Sequence, residues 1–484
     1  RDGVLKLSEA KFRLGEIKGS GSVSVGQGGL QGQVDLGHLN LDRVFNFDQE
    51  SSVEKPDLDV LSGATAALLS HLVAKPELIG TIRIGADAVQ YRGEAIRDIL
   101  ISADIRDGAI NLNEVSALFP GGSAAKFEGV LHSDNSLPAF VGEAEGKSDN
   151  FRALLEWLSV DTRTLPGDRL RRLLFSTKLS GTLASGSFTD IKLQFDTSNV
   201  GGGVRYRISD GWLGLGVFLD VDQLNVDAYY PQTSELENEN VGDPVGDTKF
   251  GFWAPNIFSK FNADFDMRLD DVTFRGIPVS GVVLDGSWQE NERDVLDIQE
   301  IGINDLSGTS ISFAGLLTGV SVNPSIHGSF VFSAERLGSL TRVIPGLQDA
   351  PKYLLGSTEI ALAVNGNAEA IMIDGMVGVM DSQMAIRGSV ADPLLPGQLD
   401  ISAELEIPSL AKFGQLLSDG DVSVPEFVLR ADIPLNIGIE LAGVSSNFDV
   451  EALAEMADAR LEVLGSVVGF PEVPKFDVDG HFYH

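Results

Sequence analysis

The sequence predicts an all-β protein, an elongated repeat array of antiparallel strands that carries only a few short helices. Three observations support this. The dominant hydrophobic period is two rather than 3.6. Glycine and phenylalanine are abundant, 54 and 26 residues against 6 tyrosines, a mix that suits many short strands joined by tight turns. Glycines also recur at fixed intervals, the mark of a repeat architecture. At 484 residues the chain exceeds the size at which one core keeps growing, so several domains or an array are expected.

The alternation is clearest in three runs. From Phe427 the odd positions are Phe427, Leu429, Ala431, Ile433, Leu435, Ile437, Ile439 and Leu441, with Arg430, Asp432, Asn436 and Glu440 between them. Phe261, Ala263, Phe265, Met267 and Leu269 alternate with Asn262, Asp264, Asp266 and Arg268. Leu399, Ile401, Ala403, Leu405 and Ile407 alternate with Asp400, Ser402, Glu404 and Glu406. Each run predicts a strand with one apolar face. Extended throughout, the Phe427 run would span roughly 50 Å at about 3.3 Å per residue. Burying each large apolar side chain contributes about 1.5–3 kcal/mol, so something apolar must cover such a face. Pro434 removes one ladder donor, which fits an edge strand or a bulge.

Helical patterns are short: Lys55 to Lys75, Phe151 to Leu158 and Pro166 to Leu174. Residues 232–260 are acidic and aperiodic, which predicts a loop or linker. Gly129, Gly142 and Leu154 are spaced like Gly315, Gly328 and Leu340. Gly19, Gly32 and Val44 fit as a third copy, and weaker copies start near Gly388 and Gly465. Val89-Gln-Tyr-Arg-Gly93 echoes Val272-Thr-Phe-Arg-Gly276. The expected modules are 1–50 (partial), 51–160 (with an N-terminal helix), 161–231, 261–347, 348–420 and 421–484 (partial). The start inside a strand-like run, without Met, suggests a piece of something longer.

A net charge of −34 spread along the chain argues against nucleic acid, which needs a basic stripe, and against a polybasic lipid-headgroup patch. Cysteine is absent, which excludes disulfides and thiolate chemistry. Gly142-Glu-Ala-Glu-Gly146-Lys147-Ser148 imitates a phosphate loop, but it is one residue short and puts glutamates where amides should cradle an anion. The six histidines form no helical i, i+4 metal pair, no Gly-x-Ser-x-Gly elbow is present, and the carboxylates fall on the polar sides of strands. Asp220 and Asp222 alone do not supply the oxygen ligands of a calcium site. No enzyme, metal or cofactor is expected.

Thr81 to Leu131, with Ala88-Val-Gln-Tyr-Arg-Gly93, Ile99-Leu-Ile-Ser-Ala-Asp-Ile-Arg-Asp-Gly108 and Phe119-Pro-Gly-Gly122, resembles the C-terminal repeat of AsmA-like proteins. Phe261 to Leu317 looks like a second copy. The resemblance implies a Gram-negative envelope protein, tethered in the inner membrane by an N-terminal anchor absent from this chain, with its bulk in the periplasm. Relatives of the TamB type are similar to bridge-like lipid transfer proteins, in which stacked strands curl into an open groove for phospholipid acyl chains. The expected lipid-contact residues are Phe427, Leu429, Ile433, Leu435, Ile437, Ile439, Leu441, Leu399, Ile401, Leu405, Phe261, Phe265, Met267 and Leu269. The alternatives are a structural scaffold that organises envelope partners, in which a second sheet covers the apolar faces, and, more remotely, a polysaccharide-binding array.

Overall fold

The structure is a computed structural model and describes residues 5–14, 17–27, 29–44, 77–134, 137–163, 165–229, 260–290, 294–320, 323–342, 356–379, 382–392, 397–419, 423–444, 446–468 and 475–483. The expected helix over Lys55 to Lys75 and most of the acidic stretch 232–260 lie outside these residues. The chain divides into two units, Arg1–Phe261 and Asn262–His484. Each is an open, curled sheet with few helical turns, as the alternation predicted.

The first unit runs β1 (Leu5–Leu14), β2 (Ile17–Gly26), β3 (Gly29–Asn40), β4 (Gly80–Tyr91), β5 (Glu94–Arg106), β6 (Ala109–Phe119), β7 (Ser123–Asp134), β8 (Leu137–Ser148), β9 (Leu173–Thr182), β10 (Ser185–Phe195), β11 (Ser198–Ser209) and β12 (Trp212–Asn225). Each strand pairs with the next. All pairs are antiparallel except β3–β4, which is parallel and is joined by the long connection such a pair needs. Asp107-Gly108 and Asp210-Gly211 make tight hairpins with both residues at positive φ, the conformation that matches strand twist. Arg92-Gly93 does the same between β4 and β5.

The helical segments among the described residues of this unit, α1 (Leu41–Val44), α2 (Phe151–Trp157) and the turn Val226–Tyr229, all follow the ends of strands on one rim. There the buried Asp42 carboxylate accepts the backbone amides of Arg92 (2.6 Å) and Gly93 (2.9 Å). Trp157 donates to the Tyr91 carbonyl at 2.9 Å and meets the Tyr91 ring edge-on. A helix was also expected over Pro166 to Leu174, and the chain there is irregular until β9 begins. Leu170 sits at φ 56°, and the carbonyls of Leu170 and Arg171 accept the amides of Arg152 and Phe151 at 2.8 Å. The segment stays non-helical because it satisfies the otherwise unpaired donors at the start of α2.

The second unit runs β13 (Lys260–Phe274, crossing the boundary), β14 (Ile277–Gln289), β15 (Val295–Asp305), β16 (Thr309–Thr318), β17 (Ser325–Ala334), β18 (Thr358–Asn367), β19 (Ala370–Val379), β20 (Ser382–Ala391), β21 (Gln398–Ile407), β22 (Leu435–Val444), β23 (Asn447–Met456), β24 (Ala459–Val468) and β25 (Lys475–Tyr483), antiparallel throughout. Its helical pieces among the described residues are the turn Leu337–Arg342, α3 (Leu410–Asp419) and α4 (Glu426–Arg430). Beneath the first, Leu340 is 1% exposed and packs with Ile277, Val279, Leu306, Phe332 and Ala334.

The Phe427 run is therefore not one long strand. Phe427 and Leu429 lie on α4, Ile433 lies in the connection, and only Leu435 onward is strand. Pro425 precedes α4 and its carbonyl accepts the Val428 amide; Glu426 and Arg430 pair one turn apart. The carbonyls of Ala431 and Ile433 accept the amides of Ala411 and Leu410 at 2.9 Å, so this stretch serves the start of α3 instead of a sheet. Apolar alternation is local, and it does not reveal that another element claims the backbone.

Candidate functional site

Directly paired residues on neighbouring strands share a sheet face, so the pairing register decides whether one-sided strands add up to one surface. In the second unit they do. One row runs from β13 to β25 as Phe265, Gly286, Ile298, Gly315, Gly328, Val364, Ile373, Gly388, Ile401, Leu441, Val450, Gly465 and Val478. The next contains Met267 at one end and Ile439 paired with Ala403 further along. A third contains Leu269, and Leu405 paired with Ile437. None of these three rows contains a polar or charged side chain at any strand.

The first unit repeats the arrangement. Leu5, Val25, Leu30, Gly80, Ile105, Ile110, Leu131, Phe140, Gly181, Gly186, Tyr206 and Leu215 form one row over all its strands. The row beside it on the opposite face includes Lys6, Gln31, Thr81, Asp104, Asn111 and Arg205. Charged and hydrogen-bonding side chains thus belong to the outer face. There, hydrogen bonds from Asn113 and then Thr81 hold the Asp104 carboxyl below its usual range, and Asn199 does the same for Asp222. Both favour the ionised form.

The sequence-predicted residues of β21 and β22 are direct neighbours, and those of β13, eight strands away, fall in the same rows: Phe265, Ile401 and Leu441 in one row, Met267 and Ile439 in the next, Leu269, Leu405 and Ile437 in the third. Leu399 lies opposite Gly443, and Leu435 lies opposite Ile407. Phe261, at the start of β13, is 38% exposed. Phe427 is 69% exposed on α4, and it, Leu429 and Ile433 lie outside the sheet face. Most of the face is half-buried. Its most exposed members stand near the edge strands, such as Leu5 and Phe482. Fully buried apolar side chains mostly cluster toward strand ends.

The repeating glycines have a packing role. Gly129 stands opposite Gly142 and Gly315 opposite Gly328, with the Phe127 and Phe313 rings laid over the paired glycines. Phe12 over Gly19, Phe175 over Gly146 and Phe265 over Gly286 extend the pattern. The aromatic ring covers bare backbone and fills the space a Cβ on the glycine would need. The N-terminal copy differs in register, with Gly19 opposite Leu36 and Gly32 opposite Val23. Gly142→Val would set its Cβ 2.3 Å from the Glu128 carbonyl. It is expected to cost about 3 kcal/mol by overpacking, read as a lower urea midpoint.

The phosphate-loop imitation lies wholly within β8, where Gly146 faces Ala125 and Phe175 and Ser148 hydrogen-bonds Ser123 at 2.7 Å. It has no loop with which to cradle an anion. Depressions of about 980 Å³ and 710 Å³ are on the outer, polar faces, where sequence reasoning expected only solvated side chains. The class defined by these features is an open, one-sided β-array in which each of the two units carries an apolar inner face. No family model and no curated protein matches the chain.

Proposed function

We propose that the apolar faces bind phospholipid acyl chains and conduct them between the inner and outer membranes of a Gram-negative bacterium, as a non-catalytic AsmA-like protein of the periplasm. The observation that carries this is the three uncharged rows of the second unit, in a protein of net charge −34. A half-exposed apolar surface of this extent costs free energy in water. The described helices sit at strand ends, where the turn Leu337–Arg342 covers Phe332 of the third row, and leave most residues of the three rows half-exposed. Acyl chains fill an apolar trough without needing polar partners, and a row repeated strand after strand offers no preferred stopping point.

The test is lipid extraction and native mass spectrometry of the chain purified from bacterial envelopes, with a photocrosslinking residue at Ile437. Co-purified phospholipid and a crosslink to lipid are the expected results. A lipid-free protein whose Ile437 crosslinks only to protein would replace the conduit with a scaffold whose faces are closed by other chains.

A further inference from the structure

The outer face of the second unit is not uniformly acidic. Beside the apolar row lies an outward row that begins Asp264, Ser287, Asp297, continues Leu316, His327, Asn365, Met372, Ser389, and ends Asp400, Ala442, Asp449, Ser466, Asp477. Acidic residues recur at both ends, and β16 to β20 between them contribute none to this row. The depression of about 980 Å³ coincides with the neutral stretch. Its floor is small, with Ala314, Ser329 and Ala363 side by side on adjacent strands. In the same row Asp374 and Arg387 neutralise each other at 3.0 Å. Leu316, Val331, Met372 and Met376 stand 39–53% exposed around it.

We infer that this trough docks an amphipathic α-helix of a partner protein, apolar along one side and basic at both ends. A sheet face offers side chains rather than free backbone groups, so an extended peptide lying on it would leave its own amides unpaired, whereas a helix satisfies them internally. Asp297 on β15 and Asp400 on β21 are six strand spacings apart, about 29 Å at ~4.8 Å each. That matches roughly 19 helical residues at 1.5 Å, which would place basic ends over the acidic borders. Exposed methionines adapt to the side chains of a docked helix, and small floor residues let it approach closely.

The experiment uses the full chain and two labelled synthetic helices with the same leucine stripe, one ending in lysines and one in glutamates, followed by fluorescence anisotropy. The lysine-ended peptide is expected to bind at least tenfold more tightly. Ala363→Glu, at an exposed floor position, is expected to weaken it at least tenfold, while Ser466→Glu on β24 leaves it unchanged. Both variants add one negative charge, so nonspecific attraction to an acidic protein would strengthen binding equally in the two. That outcome, or equal binding of the two peptides, overturns the proposal. If Ala363→Glu does not fold, Met372→Ser removes the apolar contact without adding charge, and undiminished binding by it would count equally against the helix.

Discussion

Ile439→Asp is expected to abolish lipid loading while leaving the fold intact. Ile439 is half-buried mid-strand on β22, flanked by Ala403 and Ala452. A carboxylate there would face acyl chains in the occupied groove. Phospholipid recovered with the protein should fall at least tenfold, about 1.4 kcal/mol of binding free energy. Stability should fall by only about 1–2 kcal/mol, because the emptied groove is open and lets water reach the new charge. Quantitative lipid extraction alongside urea unfolding checks both numbers. If unfolding dominates and lipid recovery per folded molecule is unchanged, the face is sealed by protein.

Leu340→Ala should behave in the opposite way. The side chain is 1% exposed among Ile277, Val279, Leu306 and Phe332, and truncation leaves a cavity that this packed rim cannot refill. A loss of about 2–5 kcal/mol is expected, with faster amide exchange at the neighbouring ends of β17 and β18. Lipid recovered per folded molecule should be little changed. A lowered lipid ratio with unchanged unfolding would make Leu340 part of the path rather than of its support. Together the two substitutions separate the open face from the closed rim.

Much of this was visible in the sequence. β13 and β21 alternate so regularly that their inward residues follow from parity alone. The repeated glycine intervals correspond to Gly129 facing Gly142 and Gly315 facing Gly328. The Phe427 run shows where parity fails, since Pro425 and Pro434 divide an equally clean alternation into a helix, a connection and a strand. The Pro166 segment fails for a related reason: its carbonyls serve a helix earlier in the chain. The neutral trough has a signal of its own in the sequence, namely Ser, Ala and Met where the outward positions of other strands carry acids.

The sequence by itself determined that the chain is made of strands and that most of them have one apolar side, because side-chain direction alternates along a strand whatever its neighbours are. Only the tertiary structure decided that these sides meet in the same rows. Register is a property of pairing between strands, and a slip of one residue would have turned any strand's apolar side outward. The rim was likewise a tertiary decision, since which carbonyls complete a helix start depends on segments more than ten residues away in sequence.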